Sequence, residues 1–387
     1  MSRITDRLLV LVYVALAALP IMAMRMGCKD RELHGSLPPA PLPEMTLSGV
    51  LSEDVQHGIA AWFESNLGFK GTSISLDNAL LYHVFGETKP GAGVRLGKDH
   101  VLFSNEDLDY YNKNGRWITE PAYVEKLADQ IADVQRRMRA KHKALVPVLV
   151  PAKTSIWRDK APDAWVMNLP LPRASDETTR MVTQALALRG VIFVDARELF
   201  TSSGIPRADL YAPDARHWSS YGACLAMSRV VDARAKLLGE PRLPHHCVFE
   251  RQRVSRSNDD FDLWRLLNAI WVYPTVKEVP GVHHTRPPAP LAGPALFVAT
   301  SFGWQIMRDA EDSGLFQSAL LNYYNQTFAH AAGGEREPVE AGTARWRELT
   351  MGSDLIVLDL FEAYLGSPEA YVQLFLDDMT RELDAHP

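Results

Sequence analysis

Three cysteines in 387 residues, Cys28, Cys224 and Cys247, are too few to staple a fold. The chain is therefore not a disulfide-built scaffold, although one bridge can form. Cys224, in Gly222-Ala223-Cys224-Leu225-Ala226-Met227, reads as a small buried apolar residue. Positive charge is short as well: 41 Lys and Arg stand against 47 Asp and Glu, giving a net charge of −6 and a pI near 6.1. That balance argues against broad nucleic-acid binding, which needs a basic surface to displace counterions, and leaves a neutral or anionic small substrate open. Nothing leans toward disorder or a fibrous repeat. With 47% hydrophobic and 23% charged residues the composition is that of a globular protein, with room for one large domain or two modest ones.

Leu8 to Met24 is a run of 17 uncharged, mostly apolar residues behind Arg3 and Arg7. It stands at the short end of a membrane span and also has the size of a signal-peptide core, so the remainder is expected to be exported. The small residues Ala15-Leu16-Ala17 lie inside the run rather than at its end, which favours an uncleaved anchor over a cleaved signal. Arg25, Lys29 and Arg31 follow as closely as Arg3 and Arg7 precede, so charge does not set the orientation. Cys28 follows Gly27 as at a lipidation site, but Arg25 stands where an aliphatic residue belongs.

The organisation expected is an anchor or signal over 1–30, a spacer over 31–48 with Pro38, Pro39, Pro41 and Pro43, and a single catalytic domain over 49–387. Apolar spacing predicts helices from Ser52 to Leu67, Ser73 to Val84 and Pro121 to Lys141. Ala144-Leu-Val-Pro-Val-Leu-Val150 reads as a strand buried on both faces, although Pro147 weakens it. A helix from Thr178 to Arg189 and a strand from Val191 to Val194 repeat the unit, which argues for an α/β layer with a parallel sheet. Pro241 to Pro294, with eight prolines and one helix near Asp262 to Ile270, reads as an irregular insertion. Its pairs His245-His246 and His283-His284 read as solvent-facing: adjacent histidines point apart, and no Cys, Asp or Glu stands beside them at ligand spacing. The chain closes with a strand over Asp354 to Leu360, whose end places Asp359 and Glu362 near a crevice, and a helix from about Pro368 to Leu383.

Two stretches carry chemistry. In Asp214-Ala215-Arg216-His217-Trp218-Ser219-Ser220, a carboxylate three residues from an imidazole can orient that ring as a general base; it is also what a structural Asp–His pair looks like. Ser219 or Ser220 can cap the following helix, expected to reach Leu238 and stop at Gly239. In Pro294-Ala-Leu-Phe-Val-Ala-Thr-Ser301-Phe302-Gly303-Trp304, a short strand runs into a serine and then a helical pattern. A serine at that turn meets the positive end of the following helix, which favours a developing oxyanion; the alternative is a helix cap. Taken together, Asp214, His217 and Ser301 form a candidate triad, because triads are recognised by roles and not by chain order.

These segments resemble the SGNH-like polysaccharide O-acetyltransferases of the alginate AlgX/AlgJ type. Trp62-Phe63-Glu64-Ser65-Asn66-Leu67-Gly68-Phe69-Lys70, Val94-Arg95-Leu96-Gly97-Lys98-Asp99-His100-Val101-Leu102-Phe103, Val150-Pro151-Ala152-Lys153-Thr154-Ser155-Ile156-Trp157, Asp214 to Gly222 and Ala299-Thr300-Ser301-Phe302 are similar to that family's segments, in shared order. Two residues rather than one separate Asp214 from His217, and Ala299 replaces the usual Gly. The resemblance implies an SGNH-hydrolase-like three-layer sandwich with a mainly parallel sheet and permuted motif order. It also implies acetyl transfer through an acetyl-serine on Ser301, with His217 as base and Asp214 as orienting carboxylate. Asn325, Tyr324, Lys153 and Trp218 are candidate substrate or oxyanion contacts, and the backbone N–H of Ser301 is a further oxyanion donor. No cofactor or metal is implied. The partners implied are an exopolysaccharide or envelope glycan and a multispanning membrane acyltransferase that relays the acetyl donor, with the catalytic domain in the bacterial periplasm behind an inner-membrane span. A carbohydrate acetyl esterase of the same fold, or a non-catalytic glycan-binding subunit of an export complex, are the alternatives.

Overall fold

Two seven-residue apolar runs form the centre of the sheet. A computed structural model describes residues 3–28, 30–89, 91, 93–112, 120–166, 174–253, 261–330, 336–365, 367 and 370–386. In it Ala144–Val150 (β1) and Leu355–Phe361 are buried at every position and pair in parallel along their whole length. Runs of this kind need cover on both faces. Pro147 is tolerated in β1 because pairing with Val194–Asp195 (β2) begins one residue later, at Val148. Ala295–Ala299 (β3), Ala319–Tyr323 (β4), Thr327–His330 (β5) and Glu337–Pro338 (β6) follow, and Leu355–Phe361 is β7. The order across the sheet is β6-β5-β4-β3-β7-β1-β2. Strands β4, β3, β7, β1 and β2 run parallel, and β5 and β6 add an antiparallel edge.

The period-two alternation of each strand divides the core into two layers. Val146, Val148, Phe297 and Val357 face the helices Ser220–Leu238 and Gly303–Ser313, whose Met227, Val230 and Met307 pack against them. Leu145, Leu149, Val298 and Leu358 face Pro121–Ala140, Ala174–Leu188 and Tyr371–Ala385, through Ile131, Val182 and Phe375. The result is the three-layer α/β sandwich expected from the sequence. Ser219 caps the Ser220–Leu238 helix by accepting the Gly222 N–H, and Gly239 ends it at φ 69°. Pro368, where the closing helix was expected to begin, lies outside the described residues.

By internal contacts the chain divides into two units: Met1–Val94 with Trp264–Tyr273, and Arg95–Leu263 with Pro274–Pro387. The segment 49–94, expected inside the catalytic domain, falls in the first. That unit holds the helix Arg3–Arg25, the helices Asp54–Asn66 and Lys70–Leu80, and a wide turn over Leu81–Phe85. The 21-residue segment Thr5–Arg25 contains an 18-residue stretch of mean hydropathy 2.2; at about 1.5 Å per residue the segment matches the roughly 30 Å hydrocarbon layer.

The span 241–294, of which 254–260 lie outside the described residues, is more regular than its prolines suggest. Val248–Arg253 and Glu278–His283 form an antiparallel ribbon with six paired positions. Every residue of Val248–Arg253 is exposed. No apolar alternation marked it, because backbone pairing alone makes it a strand. The expected helix over Asp262 to Ile270 is shorter, Asp262–Leu266.

Candidate active site

Strand β3 ends at Ala299, and the turn Thr300-Ser301-Phe302 delivers the chain into the Gly303–Ser313 helix. The turn is fixed from below. Asp359, at the carboxyl end of β7, accepts both the Thr300 N–H (2.9 Å) and the Thr300 hydroxyl (2.7 Å). Burial pushes the Asp359 carboxyl up to about 7, against the pull of those Thr300 bonds. Gly303 closes the turn because nothing larger fits: a Cβ there would lie 2.5 Å from the Ala299 side chain and 2.7 Å from Leu321. Ser301 is half-buried, at the carboxyl edge of the parallel strands, beside the positive end of a helix dipole, which favours negative charge.

The loop that meets it is held by a buried cation. Lys153, just beyond β1, is fully buried and donates to the carbonyls of Ala212 (3.1 Å), Pro213 (2.6 Å) and Ala215 (2.6 Å). Burial draws its pKa down to about 7 while Asp214, Asp262 and Asp107 push it up. Three carbonyl acceptors require three protons, so the pinning form is the ammonium. Trp218 is also buried, donates its indole N–H to the Phe302 carbonyl (3.1 Å), and so ties the histidine loop to the serine turn. The Phe302 ring meets His217 edge-on at 4.7 Å. Lys153 and Trp218, candidates for substrate contact, are thus placed behind the site.

His217 reaches Ser301 Oγ through Nε2 at 2.6 Å, and its Nδ1 lies 2.7 Å from Asp262 Oδ2. A carboxylate only accepts, so Nδ1 carries the proton and Nε2 offers its lone pair to the serine hydroxyl. Asp262 Oδ1 accepts the N–H groups of Arg216 and Leu263, each at 2.8 Å. Burial opposes the charge on Asp262, but His217 and these two N–H groups outweigh it and hold the carboxyl below its ordinary range.

Asp214, expected against His217, is elsewhere. Its carboxylate is buried and accepts the Thr275 N–H (2.6 Å) and hydroxyl (3.0 Å), while burial raises its pKa. Asp214 sits inside the turn that the Ala215 N–H closes on the Ala212 carbonyl, ahead of His217 in the chain. The carboxylate on the ring comes from 45 residues downstream, inside the span read as an irregular insertion. Its one local signal is an acidic residue at the start of a short helix, Asp262–Leu266, which fits any helix N-terminus.

Tyr324 and Asn325 sit in the β4–β5 turn, both at φ 52°. The Tyr324 side chain hydrogen-bonds Ser301, and burial raises its pKa. Asn325 is turned away: its Oδ1 accepts from Asn322 (2.9 Å) and its Nδ2 donates to Asp378 (3.3 Å). Glu362 accepts from the Ala152 N–H and the Ser155 hydroxyl, shoring up the loop of Lys153 and not reaching Ser301. Of the two histidine pairs, His245 and His284 turn inward and His246 and His283 outward. The inward pair corrects the solvent-facing expectation. Both meet Asp309, which no local spacing could reveal.

The family model "SGNH hydrolase-like domain, acetyltransferase AlgX" matches residues 94–299. Similar solved structures include the O-acetyltransferase domain of Pseudomonas putida AlgJ, at 16% identity and TM-score 0.48 over 75% of this chain and 99% of that one. Bacillus cereus PatB1 is similar at 10% identity and TM-score 0.43, over 65% of this chain and 93% of its own. Pseudomonas aeruginosa AlgX is similar at 14% identity and TM-score 0.43, over 75% of this chain and 72% of its own. No curated protein matches the chain in a sequence comparison. The family match takes in more than half of the chain, includes His217 and Asp262 and stops two residues short of Ser301: the chain belongs to the AlgX-type, SGNH hydrolase-like acetyltransferase family and is an O-acyltransferase.

Proposed function

We propose that the protein is an exported, membrane-anchored enzyme that carries an acetyl group on Ser301 and passes it to hydroxyls of a polysaccharide. The observation that carries this reading is the relay Ser301–His217–Asp262 at the carboxyl edge of a parallel sheet. Asp262 fixes the imidazole by accepting its Nδ1 proton. Nε2 takes the Ser301 proton as Oγ bonds to the carbonyl carbon of an acetyl ester. The oxyanion that forms is met by the Ser301 N–H, the start of the Gly303–Ser313 helix and the Tyr324 hydroxyl. Nε2 returns the proton to the donor oxygen as that C–O bond breaks, leaving acetyl-Ser301. A sugar hydroxyl then gives its proton to Nε2 and attacks the acetyl carbonyl, and the Ser301 oxygen departs with that proton. Asp214 has no part in the relay and stabilises the loop through Thr275.

Export is supported by the apolar Thr5–Arg25 helix and by the Cys224–Cys247 disulfide, which suits an oxidising compartment. Residues 49–387 supply the enzyme behind the 31–48 spacer, on the periplasmic side of the inner membrane. A compartment without acetyl-CoA needs a donor relay, and a multispanning membrane acyltransferase fits that role. A transfer assay tests the reading: the detergent-purified full chain, given a chromogenic acetyl ester and an acceptor oligosaccharide, should acetylate the sugar faster than it releases acetate. Acetate release unchanged by any acceptor would make it an esterase, and full transfer by Ser301→Ala would end the assignment.

A further inference from the structure

Away from the serine, three segments bring two imidazoles onto one carboxylate. His245 follows the Ser220–Leu238 helix, His284 follows the ribbon strand Glu278–His283, and Asp309 lies in the second turn of the Gly303–Ser313 helix. His245 Nε2 is 2.7 Å from Asp309 Oδ2 and His284 Nε2 is 2.8 Å from Oδ1. The three side chains are 0%, 6% and 4% exposed. We propose that His245, His284 and Asp309 form a binding site for one divalent transition-metal ion, zinc above all, with water in the fourth position.

Three observations support a metal in place of a purely hydrogen-bonded cluster. One ligating atom from each of the three, and from Cys224, lies within 4.8 Å of every other. Zinc bonds of about 2.0–2.2 Å to nitrogen and oxygen are reached by side-chain shifts of well under an ångström each. His284 hydrogen-bonds the His246 backbone through its ring, the outer contact that orients a metal-ligating imidazole. Finally, a cavity of about 270 Å³ is lined by His284 and Asp309 together with Gln305, Arg308 and Asp312, which gives the ion access and a place for water. Two imidazoles and one carboxylate with an open position suit zinc, and softer cysteine ligation is not needed. Cys224 is committed to its disulfide with Cys247. Bound metal would clamp the helix that leaves Ser301 against the ribbon and the His245 loop.

The test uses the untagged full chain in detergent, stripped with chelator and dialysed against zinc chloride. One zinc per chain is expected, with X-ray absorption showing two imidazole nitrogens at about 2.0–2.1 Å. His284→Ala should weaken binding at least about a hundredfold, the upper end of what outer-shell changes cost. His283→Ala, whose side chain is exposed, should bind like the parent. Melting curves without metal check that each variant is folded, and His284→Gln replaces His284→Ala if that one is not. Failure of the parent to retain one equivalent, an absorption spectrum without two imidazoles, or unchanged affinity in a folded His284 variant would each overturn the proposal and leave a proton-sharing His–Asp–His cluster.

Discussion

His217 has a different carboxylate from the one its neighbourhood suggests, and substitution separates the two. Asp262→Asn keeps the size of the side chain but leaves Nδ1 facing an amide, which favours the wrong tautomer; loss of the orienting carboxylate of a triad lowers kcat by about 10⁴. Asp214→Asn leaves the ring's partners intact, so turnover should change by less than about tenfold while melting reports the loosened Thr275 contact. Equal losses in the two variants would contradict the assignment. Asp359 gives a pH signature. Its carboxyl is raised by burial to about 7, so the folded state holds a proton that the unfolded chain has lost. Asp359 therefore makes stability fall as pH rises from about 4 to about 7 and adds nothing further above that. Asp359→Asn should flatten the melting temperature across that window relative to the parent; an unchanged slope would show that Asp359 is not the group responsible.

At the scale of elements, the site is a meeting of a strand-to-helix turn with a pinned loop. Gly303 is the tightest point, since an added methyl group would overlap the Ala299 side chain at 2.5 Å. Gly303→Ala should cost about 1–3 kcal/mol in overpacking and displace Ser301. It should lower kcat more than it lowers the melting temperature of the sheet, measured by steady-state kinetics beside thermal unfolding. Elements with a strong apolar signal were readable from the sequence: β1, β3 and β7, the Ser220–Leu238 helix with its cap and stop, and the serine turn. Those whose reason lies elsewhere in the chain were not. The exposed Val248–Arg253 strand has no buried face to pattern. Asp262 acquires its role only because folding brings it to a ring 45 positions away, and the inward turn of His245 and His284 depends on Asp309 in a third segment.

For the whole molecule, the sheet order explains why residues so far apart converge. Strands β3, β7 and β1 are neighbours in that order, and their carboxyl ends lead to Ser301, Asp359 and Lys153 along one edge. His217 hydrogen-bonds Ser301, Asp359 fixes the serine turn and Lys153 pins the loop that carries His217. The apolar Arg3–Arg25 helix belongs to the other unit, while Ser301, His217 and Asp262 all lie in the unit that holds the sheet. Mapping the acetyl group tests the central claim most directly. After brief exposure of the full chain to a chromogenic acetyl ester and acid quench, peptide mass spectrometry should find one added acetyl group on Ser301, and none in His217→Ala. An acetyl group on another residue, or none under turnover at any quench time, would contradict it.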